Sequence, residues 1–195
     1  MTQPAPRIVL GSSSPRRRDL LEQLGLDIVI RPADIDETER PGEDPVAYVR
    51  RLAIEKCAAV MGEPHEVVIA ADTTVDLDGR ILAKPADADD ARSMLRALSA
   101  RTHRVHTGVA VRHGGEVAVD VATTFVTFTP ITDAALDWYI ETGEPFGKAG
   151  AYAIQGAGGV FVASVKGSVS NVVGLPLTTV VDLARQLGLA LLHPA

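Results

Sequence analysis

Arg7-Ile8-Val9-Leu10-Gly11-Ser12-Ser13-Ser14-Pro15-Arg16-Arg17-Arg18 is the stretch that decides how this chain is read. Arg7 to Leu10 has the character of a short buried strand, and the small polar residues after it lead into a helix over Arg16 to Leu24. Ser14 is placed as the N-cap, Pro15 suits the first helical position, and Gly25 closes the far end. Three arginines crowd the first turn, where the macrodipole is positive and each exposed like charge costs about 0.3–1 kcal/mol. Free backbone N–H groups, serine hydroxyls and guanidinium forks together suit a phosphate, which would reverse that penalty. The plainer reading sends the arginines into solvent, Arg18 first.

Outward from this stretch, Asp27 to Arg31 reads as a second strand, followed by the acidic loop Asp34-Ile35-Asp36-Glu37-Thr38-Glu39. Asp44-Pro45 starts a helix reaching about Met61, with Val46, Val49, Ala53, Cys57 and Val60 on one face. Val67 to Ala71 is a continuous apolar strand, and Val75 to Leu77 with Arg80 to Ala83 forms a tight hairpin over Asp78-Gly79. Asp87 to Leu98 is an amphipathic helix. Val105 to Val111 and Val117 to Phe128 make a long hairpin around Gly114-Gly115. Thr132 to Glu141 and Pro176 to Leu187 are helices, and Lys166-Gly167 is a turn between Val160–Val165 and Val169. Strands and helices alternate early and hairpins dominate later, which predicts an α/β protein with a mixed sheet. No proline-rich linker divides the chain, so a second lobe is expected to continue the same sheet.

Composition narrows the function classes. Hydrophobic residues at 46% and charged residues at 23% describe an ordinary globular protein. No apolar run approaches the roughly 18 residues of a membrane span. Met1 to Arg7 holds two prolines and no apolar signal core, so no export is expected. Cys57 is the sole cysteine, which excludes an intrachain disulfide and fits a reducing cytoplasm. A net charge of -6 and 4% aromatics argue against a nucleic-acid-binding module.

Several side chains can carry chemistry. Asp72 follows a buried strand and is read as standing at its C-terminal end, where open α/β sheets place ligands. Its plainer role is capping a turn. Glu37, with Asp34 and Asp36, offers the hard oxygens that Mg²⁺ prefers, although one of the three is expected to matter. The chain has only four lysines, Lys56, Lys84, Lys148 and Lys166. The first three lie beside glycine, proline or carboxylate clusters and resemble parts of a polyanion site. Lys56 is placed at the border of its helix's apolar stripe, leaning along the surface. Gln155-Gly156-Ala157-Gly158-Gly159 brings backbone close to a ligand, with the Gln155 amide reading a base edge, or is simply a flexible turn. Sharper motifs fail. Gly143 to Ala149 is one residue short of a P-loop and has Ala149 where the metal needs a hydroxyl. His103 and His106 fall on opposite faces of one strand and make no metal pair.

Taken in order, eight segments resemble the Maf family of nucleoside triphosphate pyrophosphatases, once described as septum-formation inhibitors. They are Leu10 to Arg17, Asp36-Glu37, Glu55-Lys56, Ala71-Asp72-Thr73, Lys84-Pro85, Lys148 to Tyr152, Ile154-Gln155-Gly156 and Val173-Gly174-Leu175-Pro176. The resemblance implies one Maf-like domain over residues 1–195, with a mixed β-sheet flanked by helices and two lobes around a deep cleft. Its architecture would be related to that of inosine triphosphate pyrophosphatases. It also implies cleavage of a nucleoside triphosphate to monophosphate and pyrophosphate by a cytoplasmic homodimer that uses a divalent cation, Mg²⁺ or Mn²⁺.

By the same resemblance Asp72 stands at the family's general base, and Arg16, Thr73 and Gln155 match the branch that prefers dTTP and UTP. Ser12, Ser14, Arg17, Lys56, Lys84 and Lys148 are further substrate-binding candidates, and Glu37 joins Asp72 as a metal ligand. The chain departs from the family at Gly147, where an aspartate is common, and at Gly11, usually alanine. An unperturbed aspartate titrates near about 3.9, so Asp72 works as a base only beside an acidified water, or else ligates the metal itself. The rival readings are a 7-methyl-GTP-type pyrophosphatase and a nucleotide-sensing regulator of septum formation with little turnover. A role in division arrest is compatible with either activity.

Overall fold

The computed structural model describes residues 7–192. The absence of a signal core was an expectation about Met1 to Arg7, nearly all of which lies outside them. β1 (Ile8–Leu10), α1 (Pro15–Glu22) and β2 (Ile28–Ile30) form the entry unit, and β1 pairs in parallel with both β2 and β3 (Val67–Leu77). From β3 onward every pairing is antiparallel: β3 with β5 (Thr102–His113), β5 with β6 (Glu116–Phe128), and β6 with β7 (Val162–Lys166). β4 (Arg80–Leu82) folds back on β3. The result is one mixed sheet of seven strands, ordered β2-β1-β3-β5-β6-β7 with β4 on β3.

The sequence reading ends a strand at Ala71 and starts another at Val75; the structure runs β3 unbroken through Asp72-Thr73-Thr74. The reason is β5, which pairs with β3 continuously from Val68–Arg112 to Asp76–Arg104 and so keeps the middle residues extended. On the opposite edge, β1 pairs only to Ile69 and β4 only from Val75. Among the described residues, 70–74 therefore have no strand on that side, and the sheet has a notch in its edge. Asp72 stands in this notch, not at a strand end.

Helices cover both faces. Leu20 and Leu21 of α1 and Val180 and Leu183 of α6 (Leu177–Gln186) pack on Leu10, Ile69 and Val109. At the other end of the long strands, Val75, Val105 and Phe128 meet α3 (Ala88–Leu98) and α4 (Asp133–Glu141) through Leu95, Leu98, Leu136 and Tyr139. On this face the same strands thus serve two cores, with the notch between them.

α2 (Pro45–Ala59) covers the reverse face; the Asp44 carboxylate caps it by accepting from Val46 and Ala47 N–H. Its buried stripe runs through Val49, Leu52, Ala53 and Lys56, rotated away from Val46, which stays exposed contrary to expectation. Gly108 lets this helix approach: a Cβ there would lie 2.2 Å from the Val49 carbonyl oxygen. That closeness brings α2 side chains to the notch.

Two other expectations change. Ser14 occupies the N-cap of α1, but its side chain caps nothing; its N–H donates to Ser12 Oγ at 3.2 Å. Val169, read beside a turn between extended segments, opens the short helix α5 (Val169–Val173), whose N-cap hydroxyl comes from Ser168. Among the described residues, no helix is long and apolar enough to cross a membrane.

Candidate active site

The notch opens into a cleft of about 550 Å³ bounded by the α1 start, α2, and the segments around Lys84 and Lys148 to Gln155. Because successive strand residues point to opposite faces, Asp72 faces α2 while Thr73 faces the α5 side. A notch in the edge lets one cleft reach both.

On the α2 side, Lys56 Nζ lies 2.6 Å from Asp72 Oδ1 and 2.9 Å from Glu37 Oε1. Lys56 is buried, not leaning along the surface as read from the sequence, because the helix's apolar stripe is centred on it. Its aliphatic stem packs with that stripe while the ammonium joins two carboxylates. Burial works against the Glu37 charge, but the Lys56 hydrogen bond and the charges of Lys56, Lys84 and Arg17 hold its carboxyl below the usual range. The loop carrying Glu37 is strapped to α2: Tyr48 Oη donates to the Glu37 carbonyl at 3.0 Å, and Arg51 bridges Glu43, Glu55 and the Thr38 carbonyl. Burial, then the Asp72 and Glu37 charges, push the Tyr48 phenol up to about 12.

On the other side, Arg17 spends three donors internally. It bonds the Gly174 carbonyl at 2.7 Å, Ser12 Oγ at 3.0 Å and Thr73 Oγ1 at 3.0 Å. The Thr73 hydroxyl also meets Thr107 Oγ1 at 2.9 Å. Arg17 therefore ties the α1 start, the notch and α5 together. Among the described residues Arg16 makes one long hydrogen bond, Nε to the Val173 carbonyl at 3.4 Å, and it lines the cleft. Burial draws both guanidinium groups below their ordinary range. On the far wall Lys148 Nζ donates to the Glu144 carbonyl, and burial, reinforced by the Arg16 charge, lowers its pKa.

Every residue that the resemblance assigns to the site lines this one cleft: Ser12, Ser14, Arg16, Arg17, Glu37, Lys56, Asp72, Thr73, Lys84, Lys148 and Gln155. Asp36 does not; its carboxylate accepts from the Thr38 N–H and hydroxyl. Arg18 lies in solvent with Asp19 and Glu22. His103 and His106 do fall on opposite faces, one against Tyr152 and the other against Asp76. Missing from the sequence reading are Tyr48, Arg51 and Glu144. For Arg51 the signal was available: Glu55 follows it by four residues on a helix, a spacing that places the pair side by side.

The residues fit a divalent cation in part. Among the described residues, no three acidic, histidine or cysteine side chains converge on one point. Two carboxylates do converge, on the Lys56 ammonium. Mg²⁺ commonly takes only one or two protein carboxylates and fills its shell with water and substrate phosphate oxygens. Asp72 and Glu37 could supply such a pair.

Fold and cleft together define a mixed-sheet α/β protein whose notched edge joins a carboxylate pair to a wall of cations and backbone donors, the chemistry of a polyanion site. The chain belongs to the family described as Maf-like protein, whose profile matches residues 7–187. A dTTP/UTP pyrophosphatase of Anaeromyxobacter dehalogenans (strain 2CP-C) is 58% identical over 96% of this chain and 97% of its own length. A protein of the same name from Myxococcus xanthus (strain DK1622) is 52% identical over 94% of each chain. Among solved structures, the Ham1 protein of Staphylococcus aureus matches 63% of this chain and 71% of its own at 17% identity, with a TM-score of 0.45.

Proposed function

We propose that this chain is a nucleoside triphosphate pyrophosphatase acting on dTTP and UTP, working as a single Maf-like domain over residues 1–195 in a cytoplasmic homodimer. The observation that carries the reading is the meeting of Asp72, Glu37 and Lys56 in the notch, facing the cationic start of α1. The family match and relatives named dTTP/UTP pyrophosphatase support it.

In this reading the triphosphate lies across the notch. Ser12, Ser14 and Arg16 hold phosphate oxygens at the α1 start, while Lys84 and Lys148 approach the departing end. Arg17 and Thr73 keep that wall in place. Water attacks the α-phosphorus: a new O–P bond forms, the bridging bond to the β-phosphate breaks, and pyrophosphate leaves. The water's proton passes to an Asp72 carboxylate oxygen. Glu37 and Asp72 would hold Mg²⁺ or Mn²⁺, which when bound supplies charge neutralisation and makes the attacking water more acidic. Aligned attack and fixed positive charge are what phosphoryl-type transfer chiefly needs from a protein. Gln155, on the far wall, reads the base edge.

The test is pyrophosphate release from a panel of common and modified triphosphates with Mg²⁺ or Mn²⁺. Release, fastest from dTTP and UTP, is expected; none from any nucleotide would overturn the reading.

A further inference from the structure

The segment that presents Gln155 to the cleft is wound around a carboxylate of the chain's own. Ala157 N–H donates to Glu144 Oε2 at 2.9 Å, and Gly158 N–H to Oε1 at 2.9 Å. Tyr139 Oη donates to the same Oε1 at 2.8 Å and itself accepts from Ala153 N–H at 3.2 Å. Three short bonds and one relay thus fix the backbone on both sides of Gln155.

Two consecutive N–H groups aimed at one anion make a nest of the kind that binds external phosphates. Here the occupant is internal. A Cβ on Gly156 would lie 2.1 Å from Glu144 Oε2, so only glycine lets the loop close this tightly. Burial opposes the Glu144 charge, but the Gly158 and Ala157 N–H groups and the Tyr139 hydroxyl hold its carboxyl below the usual range. The Glu144 main-chain carbonyl, by contrast, accepts from Lys148 Nζ. One residue therefore serves the far wall twice, through its carboxylate toward Gln155 and through its backbone toward a phosphate-side lysine.

We propose that the Glu144 carboxylate is a positioning group for base selection, acting from behind the cleft wall by fixing the Gln155 loop, while leaving the phosphate side to its carbonyl. This deepens the reading of the cleft as a nucleoside triphosphate site and rests on it.

The separation of side chain from main chain supplies the test. Glu144→Gln replaces one acceptor oxygen by an amide nitrogen that faces a backbone N–H, yet keeps the carbonyl that holds Lys148. In the variant, with fold verified by circular dichroism, KM for dTTP and UTP is expected to rise about tenfold, the worth of one charge-assisted hydrogen bond. Preference for these substrates over a purine triphosphate falls in proportion. The kcat and the calorimetric affinity for inorganic pyrophosphate stay near wild type. Gly156→Ala, which presses on the same carboxylate from the loop side, gives the same split, and Glu144→Asp recovers part of the selectivity. Unchanged KM and selectivity in folded Glu144→Gln overturns the proposal, as does a parallel loss of kcat and pyrophosphate affinity. Calorimetric binding of dTTP and UTP against a purine triphosphate reads the same selectivity without turnover. Absence of pyrophosphate release would thus count against the proposed reaction separately from Glu144.

Discussion

Asp72 and Asp76 lie on the same strand, four residues apart, on the same face, and both are buried. Their surroundings separate them. Asp76 is enclosed by donors: Gly79 N–H at 2.7 Å, Arg104 Nε at 2.9 Å and His106 Nε2 at 3.0 Å. His106 in turn meets Thr123 Oγ1 through its other nitrogen. Among the described residues Asp72 has a single side-chain partner, Lys56, and it opens on the cleft. A carboxylate with both oxygens held by protein donors is architecture, whereas one with spare acceptor capacity beside a cavity can take a proton or a metal. What distinguishes them is the strand edge beside them. β4 pairs with Asp76, and no strand pairs with Asp72 on that side.

The comparison breaks most sharply under matched substitutions. Asp72→Asn is expected to lower kcat by about 10²–10⁴-fold, the span of general-base contributions, while nucleotide binding largely survives. Asp76→Asn is expected to do the reverse, costing roughly 3 kcal/mol of stability in a urea titration and leaving turnover per folded molecule near wild type. If Asp76→Asn proved the dead enzyme and Asp72→Asn merely the unstable one, the assignment would be inverted.

Lys56→Met comes next. It removes the cation between Asp72 and Glu37, and about 10²-fold in kcat should go with it, as when one preorganised electrostatic partner is deleted. Added Mg²⁺ should restore part of the loss if the two carboxylates form a cation site; indifference to metal would count against that pairing. Arg51→Met tests the strap at one remove. The side chain touches no substrate, but its loss frees the loop bearing Glu37, and a rise of about tenfold in KM for Mg²⁺ is expected from misplacement alone. No change in metal dependence would show that the loop holds itself.

A further effect, spread over pH and not produced by substitution, concerns the far core. Burial holds the His103 imidazole down at about 4. In the unfolded chain it titrates near about 6.5, so on acidification the unfolded state takes the proton first. Stability is therefore complete above that pH and falls as pH drops toward 4, by roughly 3 kcal/mol in all. The His103 ring resonances should stay constant between pH 7 and pH 5 in a nuclear magnetic resonance titration. A midpoint near 6.5 would contradict the buried placement.

How much of this was legible in the sequence follows the range of the interactions. The α1 start was readable because its strand, turn serines, proline and arginines are contiguous, and α3 because Ala91, Met94, Leu95 and Leu98 recur at helical spacing. The continuity of β3 was not: Asp72-Thr73-Thr74 looks like a strand ending, and only pairing with β5, more than thirty residues away, keeps it extended. Lys56 was misplaced by a fraction of a helical turn, since a lysine on a stripe edge and one at its centre differ only in what the helix packs against. Glu144 left no local signal, as two of its three donors come from 13 and 14 residues downstream and the third, the Tyr139 hydroxyl, reaches it only once the chain turns after α4. The site's residue types were visible; the notch that gathers them is a property of the sheet.

Incubation of the wild-type chain and Asp72→Asn with UTP and Mg²⁺, followed by ³¹P nuclear magnetic resonance, bears most directly on the central claim. Wild type should yield UMP and pyrophosphate in equal amounts, and Asp72→Asn almost none. Release of UDP and orthophosphate, or equal turnover by both proteins, would contradict attack on the α-phosphorus from the notch.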